Sequence, residues 1–301
     1  MKHFLKNFQS HPSDRLYWSK SHSKSSTVNL NYRINHLIVL LFIQQFACAQ
    51  IASILPEGKS IAETSVADIR NWTAFNNPAM IGYFQQTEIG ISMSNRSLLT
   101  ELSTKSIQAG FHSSLVNIGV SFSHFGYSLY HEMLIGCGLS RNFMDKFSMG
   151  VQFNYYMAYF DASNTYRGTL LPQVGLSVKL SPLFNLGFNT FNPFQTNIKT
   201  EFVTKRIPSI FSFGTSCLLS PELVWLTQID KEVSSNYRFA TGFDYQMIEN
   251  VSVKLGAYAT DYLVPCLGVG FRVGFFRFDL NAELHPLLGL NTFASVDYLL
   301  R

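Results

Sequence analysis

The chain is poor in cysteine, in charge and in long apolar runs, and each shortage argues against a class of protein. Four cysteines occur in 301 residues, Cys48, Cys137, Cys217 and Cys266, and none shows paired spacing. That argues against a disulfide framework or a zinc site and leaves thiols packed among apolar neighbours or facing lipid. Charged residues make up 14% of the chain, and the excess of bases is confined to its start. Lys2, Lys6, Arg15, Lys20, Lys24 and Arg33 are six of the 23 bases, and Asp14 is the one acid before residue 50, so the remainder carries 23 − 6 = 17 bases and 19 − 1 = 18 acids. A neutral remainder without a basic patch among aromatics offers nothing to nucleic acid. No 18-residue apolar run is present, and neither a GxSxG elbow, a P-loop nor an HExxH helix occurs. His112, His124, His131 and His285 remain as candidate bases; His124 and His131 flank 125-FGYSLY-130 near Ser123 and Ser128, with no acid in a persuasive position. No catalysis, cofactor or metal is expected.

What the chain does have begins with 37-LIVLLFI-43, behind Arg33 and His36 and ahead of 47-ACA-49. A basic flank, a short apolar core and a small-x-small site read as a secretory signal peptide, with cleavage after Ala49 leaving Gln50. Residues 1–35 make a long polar n-region, which an upstream start assignment explains. Gln45 occupies a position where a lipoprotein signal needs an aliphatic residue, so Cys48 is not read as lipidated.

From residue 88 onward the chain repeats one theme, short segments that alternate apolar and polar or small residues. Fourteen such segments lie at 89–93, 107–111, 116–122, 133–139, 147–159, 174–180, 184–188, 211–217, 223–229, 237–245, 251–259, 267–273, 276–284 and 292–298. An even number of strands, with aromatics on the apolar parity near strand ends, predicts an all-β, antiparallel, up-and-down transmembrane barrel at 88–301, its apolar face to outer-membrane lipid. If the first hairpin points outward, 160-FDASNTYRG-168 and the segment from Asn189 to Ser209 are long outer loops. The inner connections 181-SPL-183, 220-SPE-222 and Gly274 are short, while 285-HPLLGL-290 is compact for an outer loop.

The polar parity is glycine-rich: Gly90, Gly110, Gly119, Gly136, Gly150, Gly175, Gly187, Gly214, Gly242, Gly256 and Gly268 all fall on it. Glycine weakens a strand interior, so its repetition means either that this face stays thin to admit a plug or ligand path, or that it sets curvature. The same parity carries Asp230, Arg238, Asp244, Lys254, Arg272, Arg277, Asp279, Glu283 and Asp297, five acids and four bases. A balanced set of this kind predicts a paired interior network and not an ion-selective ring. Ahead of the first strand, residues 50–87 are expected to form a hatch or arm, with a possible short helix after Ser65 and the turn-like 76-NNPAMIG-82 (Asn76, Asn77, Pro78).

The 76-NNPA-79 element, the x-Gly-x strand centres and 285-HPLLGL-290 before a short last strand resemble the PorV/PorQ outer-membrane proteins of the Bacteroidetes, within the FadL-like fourteen-stranded barrels. The resemblance spans about Ser65 to Arg301, though the end 298-YLLR-301 lacks a terminal aromatic. It implies a component or accessory of type IX protein secretion, with secretion proteins docking on the outer loops from Asn189 to Ser209. The FadL side of the resemblance implies instead uptake of hydrophobic small molecules past a hatch.

Overall fold

The computed structural model describes residues 55, 59–71, 75–160, 165–199 and 204–300. The signal segment, the cleavage site at Ala49 and residues 1–35 lie outside the described residues. Sixteen strands follow in chain order: β1 (Thr87–Asn95), β2 (Ser103–Phe111), β3 (Asn117–Tyr127), β4 (Tyr130–Phe143), β5 (Phe147–Phe160), β6 (Thr165–Ser181), β7 (Phe184–Phe191), β8 (Asn197–Lys199), β9 (Thr204–Arg206), β10 (Ile210–Ser220), β11 (Leu223–Glu232), β12 (Tyr237–Ile248), β13 (Val251–Ala259), β14 (Leu263–Val273), β15 (Phe276–His285) and β16 (Gly289–Leu300). All except β8 and β9 form one closed barrel of fourteen strands, each pairing with its neighbour in sequence. Closure is antiparallel, from Thr87 opposite Leu300 to Asn95 opposite Thr292. Every one of the fourteen alternating segments is a barrel strand. β8 and β9 pair with each other as a small hairpin inside the β7–β10 loop.

Closure removes the edges an open sheet leaves unpaired, which hydrocarbon does not tolerate. The wall is apolar outside and polar inside. Ile91 is 56% exposed and Leu267 60%, with Phe153, Phe213, Phe239 and Leu280 also exposed, while Gln152, Asn154, Ser177, Lys254 and Asp297 are buried. An apolar surface of that extent, continuous around a barrel, requires lipid as its solvent. Aromatics gather at both rims. On the outer side His131 stacks on Tyr159 with ring centroids 4.8 Å apart, and on the inner side Phe271 stacks on Phe278 at 4.7 Å. His124 and His131 stack on each other at 5.5 Å on the outward face, as parts of a girdle.

The connections differ from expectation at the β5–β6 loop and at the β7–β10 loop. β5 and β6 run to Phe160 and from Thr165, so the long loop expected at 160–168 shrinks to residues 161–164. Tyr159 and Tyr166 face each other in register with rings 4.8 Å apart, which extends the hairpin outward. Three register shifts, at Lys179/Ser181, Leu218/Ser220 and Gln246/Ile248, all sit beside inner turns. Bulges there raise the local twist at the barrel rim. The turn before β15 needs Gly274, whose φ is +60°.

Candidate functional site

The N-terminal segment lies inside the barrel. Ile61–Glu63 and Pro78–Tyr83 are short 3-10 helices, and the stretch after Ser65 is bends where a helix was expected. In place of helical hydrogen bonds, its backbone groups bond to side chains of the barrel wall. Gln228 accepts from Val66 N at 3.0 Å, Asn185 donates to Ala67 O at 2.7 Å, and Asn117 donates to Ile81 O at 2.8 Å. Ser148 donates to Ala79 O at 2.7 Å, and Gln173 donates to Asn76 O at 2.7 Å. Buried backbone polar groups require partners, and here the wall supplies them.

Asn77 ties the segment together. Its Oδ1 accepts from Ala79 N at 3.0 Å, and its Nδ2 donates to Val66 O at 2.7 Å and to Leu176 O on β6 at 3.2 Å. Pro78 opens the 3-10 helix, where its missing N–H costs nothing. Asn76 donates to Ser65 Oγ.

The inward glycines make room for this segment at several points. A Cβ on Gly150 would stand 2.5 Å from the carbonyl of Pro78, and one on Gly175 would stand 2.9 Å from Ala79 N. Gly187 lies against the Val66 backbone, Gly110 against the Phe84 ring, and Gly242 and Gly256 against Ile61. Gly90, Gly136 and Gly268 instead lie against side chains of neighbouring strands, Gly214 against Thr227 O, and Gly119 is buried opposite Gly138 and Gly110.

The wall charges pair both with one another and with charges on the hatch that the strand pattern did not reveal. Lys59 Nζ lies 2.6 Å from Asp297 and 3.3 Å from Glu88, and Arg277 lies 2.7 Å from Glu88 and 3.4 Å from Asp297. Lys254 bonds Asp279 at 2.5 Å and donates to Lys59 O at 2.9 Å. Arg238 bridges Asp230 at 2.7 Å and Glu63 at 3.2 Å, and Arg70 reaches Asp244 at 3.1 Å. Two expected members stand apart. Glu283 is met by the Tyr258 hydroxyl at 3.2 Å, and Arg272 is exposed at the inner rim, where it lines a polar cleft of about 370 Å³ with Arg70 and Asp244. Neither joins an ion pair among the described residues. The missed members are Lys59, Glu63, Asp68, Arg70 and Glu88. Glu88 shares the parity of Gly90 and was legible there; the others sit in aperiodic backbone.

On the hatch, Asp68 is fully buried. Burial opposes its charge, but Arg70, Asn71 and Ser60 outweigh that cost and hold the carboxyl below the usual carboxylate range.

On the side lined by β3 to β7, the outer part of the lumen carries an apolar cluster. Phe125, Leu134, Tyr156, Ala158, Leu171 and Phe191 point inward from the wall and cluster with Phe75, Met80 and Ile81 of the hatch and with Ile198 and Ile207 of the outer loop. The loop expected to project from Asn189 to Ser209 therefore begins later, after Phe191, and folds partly over the lumen. Within this cluster Lys205 on β9 bonds Glu132 on β4 at 2.5 Å. Among the described residues no group of three His, Cys, Asp or Glu is placed to hold a metal.

No protein-family model matches the chain, and no curated protein matches it. Solved structures do match in fold. The CymD monoaromatic hydrocarbon channel superposes with a TM-score of 0.59 at 9% identity, covering 83% of this chain and 98% of that one. The Pseudomonas putida toluene transporter TodX gives 0.57 at 8% identity, covering 83% and 96%. A Pseudomonas aeruginosa FadL homologue gives 0.55 at 11% identity, covering 82% and 95%. The fold is thus that of the FadL-like fourteen-stranded barrels.

Proposed function

We propose that the protein is a non-enzymatic, hatch-gated outer-membrane channel for hydrophobic small molecules. The observation that carries this reading is the apolar cluster in the outer part of the lumen, where inward wall residues pack against Phe75, Met80 and Ile81 of the hatch and Ile198 and Ile207 of the outer loop. A path opened through residues of this composition, by movement of the hatch and the loop, favours apolar solutes over ions. Two barrels of like fold, a monoaromatic hydrocarbon channel and a toluene transporter, support it. The inward glycines and charges act as the seat of the hatch, and the chain reaches the membrane after export with cleavage behind Ala49. Uptake of a labelled aromatic hydrocarbon into vesicles with a lipopolysaccharide outer leaflet tests the reading. Vesicles bearing the protein should fill faster than protein-free ones, and equal rates would sink it.

The secretion reading keeps one supporting observation. Phe194 is 79% exposed in the outer loop, a position suited to docking a protein partner. The comparisons give the PorV/PorQ assignment no specific support. Recovery of secretion proteins on mild-detergent pull-down, from a barrel inactive in uptake, would reverse the preference.

A further inference from the structure

We propose that Glu132, Tyr130 and Tyr156 form a binding site for the ammonium group of a hydrophobic amine, and that Lys205 occupies this site as a tethered stand-in. The proposal rests on the channel reading above and narrows its substrate class.

Glu132 points into the lumen from β4 and is fully buried. Its Oε1 accepts from Lys205 Nζ at 2.5 Å and from the Tyr130 hydroxyl. Its Oε2 has no hydrogen-bond partner among the described residues. The same ammonium lies 5.1 Å from the Tyr130 ring centroid and 5.7 Å from that of Tyr156. A carboxylate flanked by two aromatic faces is the chemistry that recognises an organic ammonium.

The cation and its cage belong to different parts of the fold. Glu132, Tyr130 and Tyr156 stand on the barrel wall, whereas Lys205 is carried by the outer-loop hairpin β8–β9. Around them lie Phe125, Leu134, Ala158 and Leu171, all buried and apolar. Ile198 and Ile207 already seat the hairpin by apolar contact, so a charge is not needed merely to hold it.

Opening the outer loop to any ligand lifts Lys205 away from Glu132 and strands a carboxylate in apolar surroundings, which is costly. A neutral hydrocarbon leaves that charge unpaired, and a fatty carboxylate adds a second one of the same sign. Only a ligand with a cationic head replaces what Lys205 provides, with its apolar tail among Leu134 and Leu171. The tethered lysine competes at an effective concentration of the order of millimolar, so it keeps the site shut until an amine displaces it.

The test uses decylamine, decanol and decanoate, equal in chain length, with the full chain in lipid nanodiscs at pH 7, binding being measured against protein-free discs. Decylamine should bind at least about tenfold more tightly than decanol or decanoate, the discrimination expected of a charged partner for a buried carboxylate. Lys205→Gln should tighten decylamine by about tenfold or more while leaving decanol unchanged, because it removes a tethered competitor. Glu132→Gln should erase the preference for the amine. If that variant does not fold, as judged by heat-modifiable migration, the Lys205→Gln comparison still decides. Equal binding of decylamine and decanol, unaltered by Lys205→Gln, overturns the inference and leaves the channel reading standing. Failure of all three ligands to bind overturns both.

Discussion

Gly150→Ala isolates the shape fit between hatch and wall, because its new methyl group meets hatch backbone. The Cβ would stand 2.5 Å from both C and O of Pro78 and 2.8 Å from Ala79 N, whereas ordinary contact begins at 3.4 Å. The hatch must therefore retreat by 3.4 − 2.5 = 0.9 Å. Ala79 O accepts from Ser148 Oγ at 2.7 Å and from Ser140 Oγ at 3.3 Å. A retreat of that size carries the shorter bond to 2.7 + 0.9 = 3.6 Å and loses both. At about 0.5–1.5 kcal/mol each, the seated hatch loses about 1–3 kcal/mol. The population of unseated hatch then rises by about fivefold to somewhat over a hundredfold. Limited proteolysis of the N-terminal segment in the intact, bilayer-embedded protein reads this directly, with heat-modifiable migration confirming that the barrel is closed. Gly214→Ala is the comparison, since its Cβ would sit 3.5 Å from the nearest hatch atom, Val66 Cβ, and should leave cleavage at the native rate. If Gly150→Ala leaves cleavage unchanged while the barrel remains closed, the packing argument is wrong.

Asp297→Asn should cost about 3–5 kcal/mol by taking the nearer carboxylate from the buried Lys59, visible as a lower hatch melting temperature, whereas Asp145→Asn, at an exposed pair with Lys179, should cost at most about 1 kcal/mol. Leu267→Lys, on the lipid face midway along β14, should destabilise the barrel by about 2–4 kcal/mol in reversible urea unfolding, and a neutral result would contradict the membrane orientation. Asp68 has a folded value below its unfolded one, so its contribution is complete above about pH 4 and is lost as pH falls through the lowered value. Hatch cleavage by pepsin should accordingly rise below about pH 4, and Asp68→Asn should flatten that part of the profile.

The barrel was legible because its signal is periodic. Alternation through Ile89, Ile91 and Met93 or through Phe276, Phe278 and Leu280 survives without knowledge of any partner, and it places the opposite parity, with Asp279 and Asp297, inside. The hatch obeys no period. Lys59 meets Asp297 238 residues away, and Ala79 is held through its carbonyl, a group common to every residue. The advance signs of the hatch were the length of residues 50–87 ahead of the first strand, the turn-like 76-NNPAMIG-82, and glycine on the inner parity at Gly150, Gly175 and Gly187. The β8–β9 hairpin was missed because three-residue strands are too short to alternate visibly, and with it went the pairing of Lys205 and Glu132, 73 residues apart.

The central claim is that the N-terminal segment closes a channel and must move for a hydrophobic molecule to pass. A Cβ on Gly256 would lie 3.2 Å from Cβ of Ala62, within a few tenths of an ångström of the roughly 3.5–4.5 Å that a disulfide spans. Ala62→Cys with Gly256→Cys therefore locks hatch to wall, with Cys266→Ala added because Cys266 stands opposite Gly256 in register. Uptake of an aromatic hydrocarbon into lipopolysaccharide-faced vesicles should stop on oxidation and return on reduction. Undiminished uptake through the cross-linked protein would contradict the account.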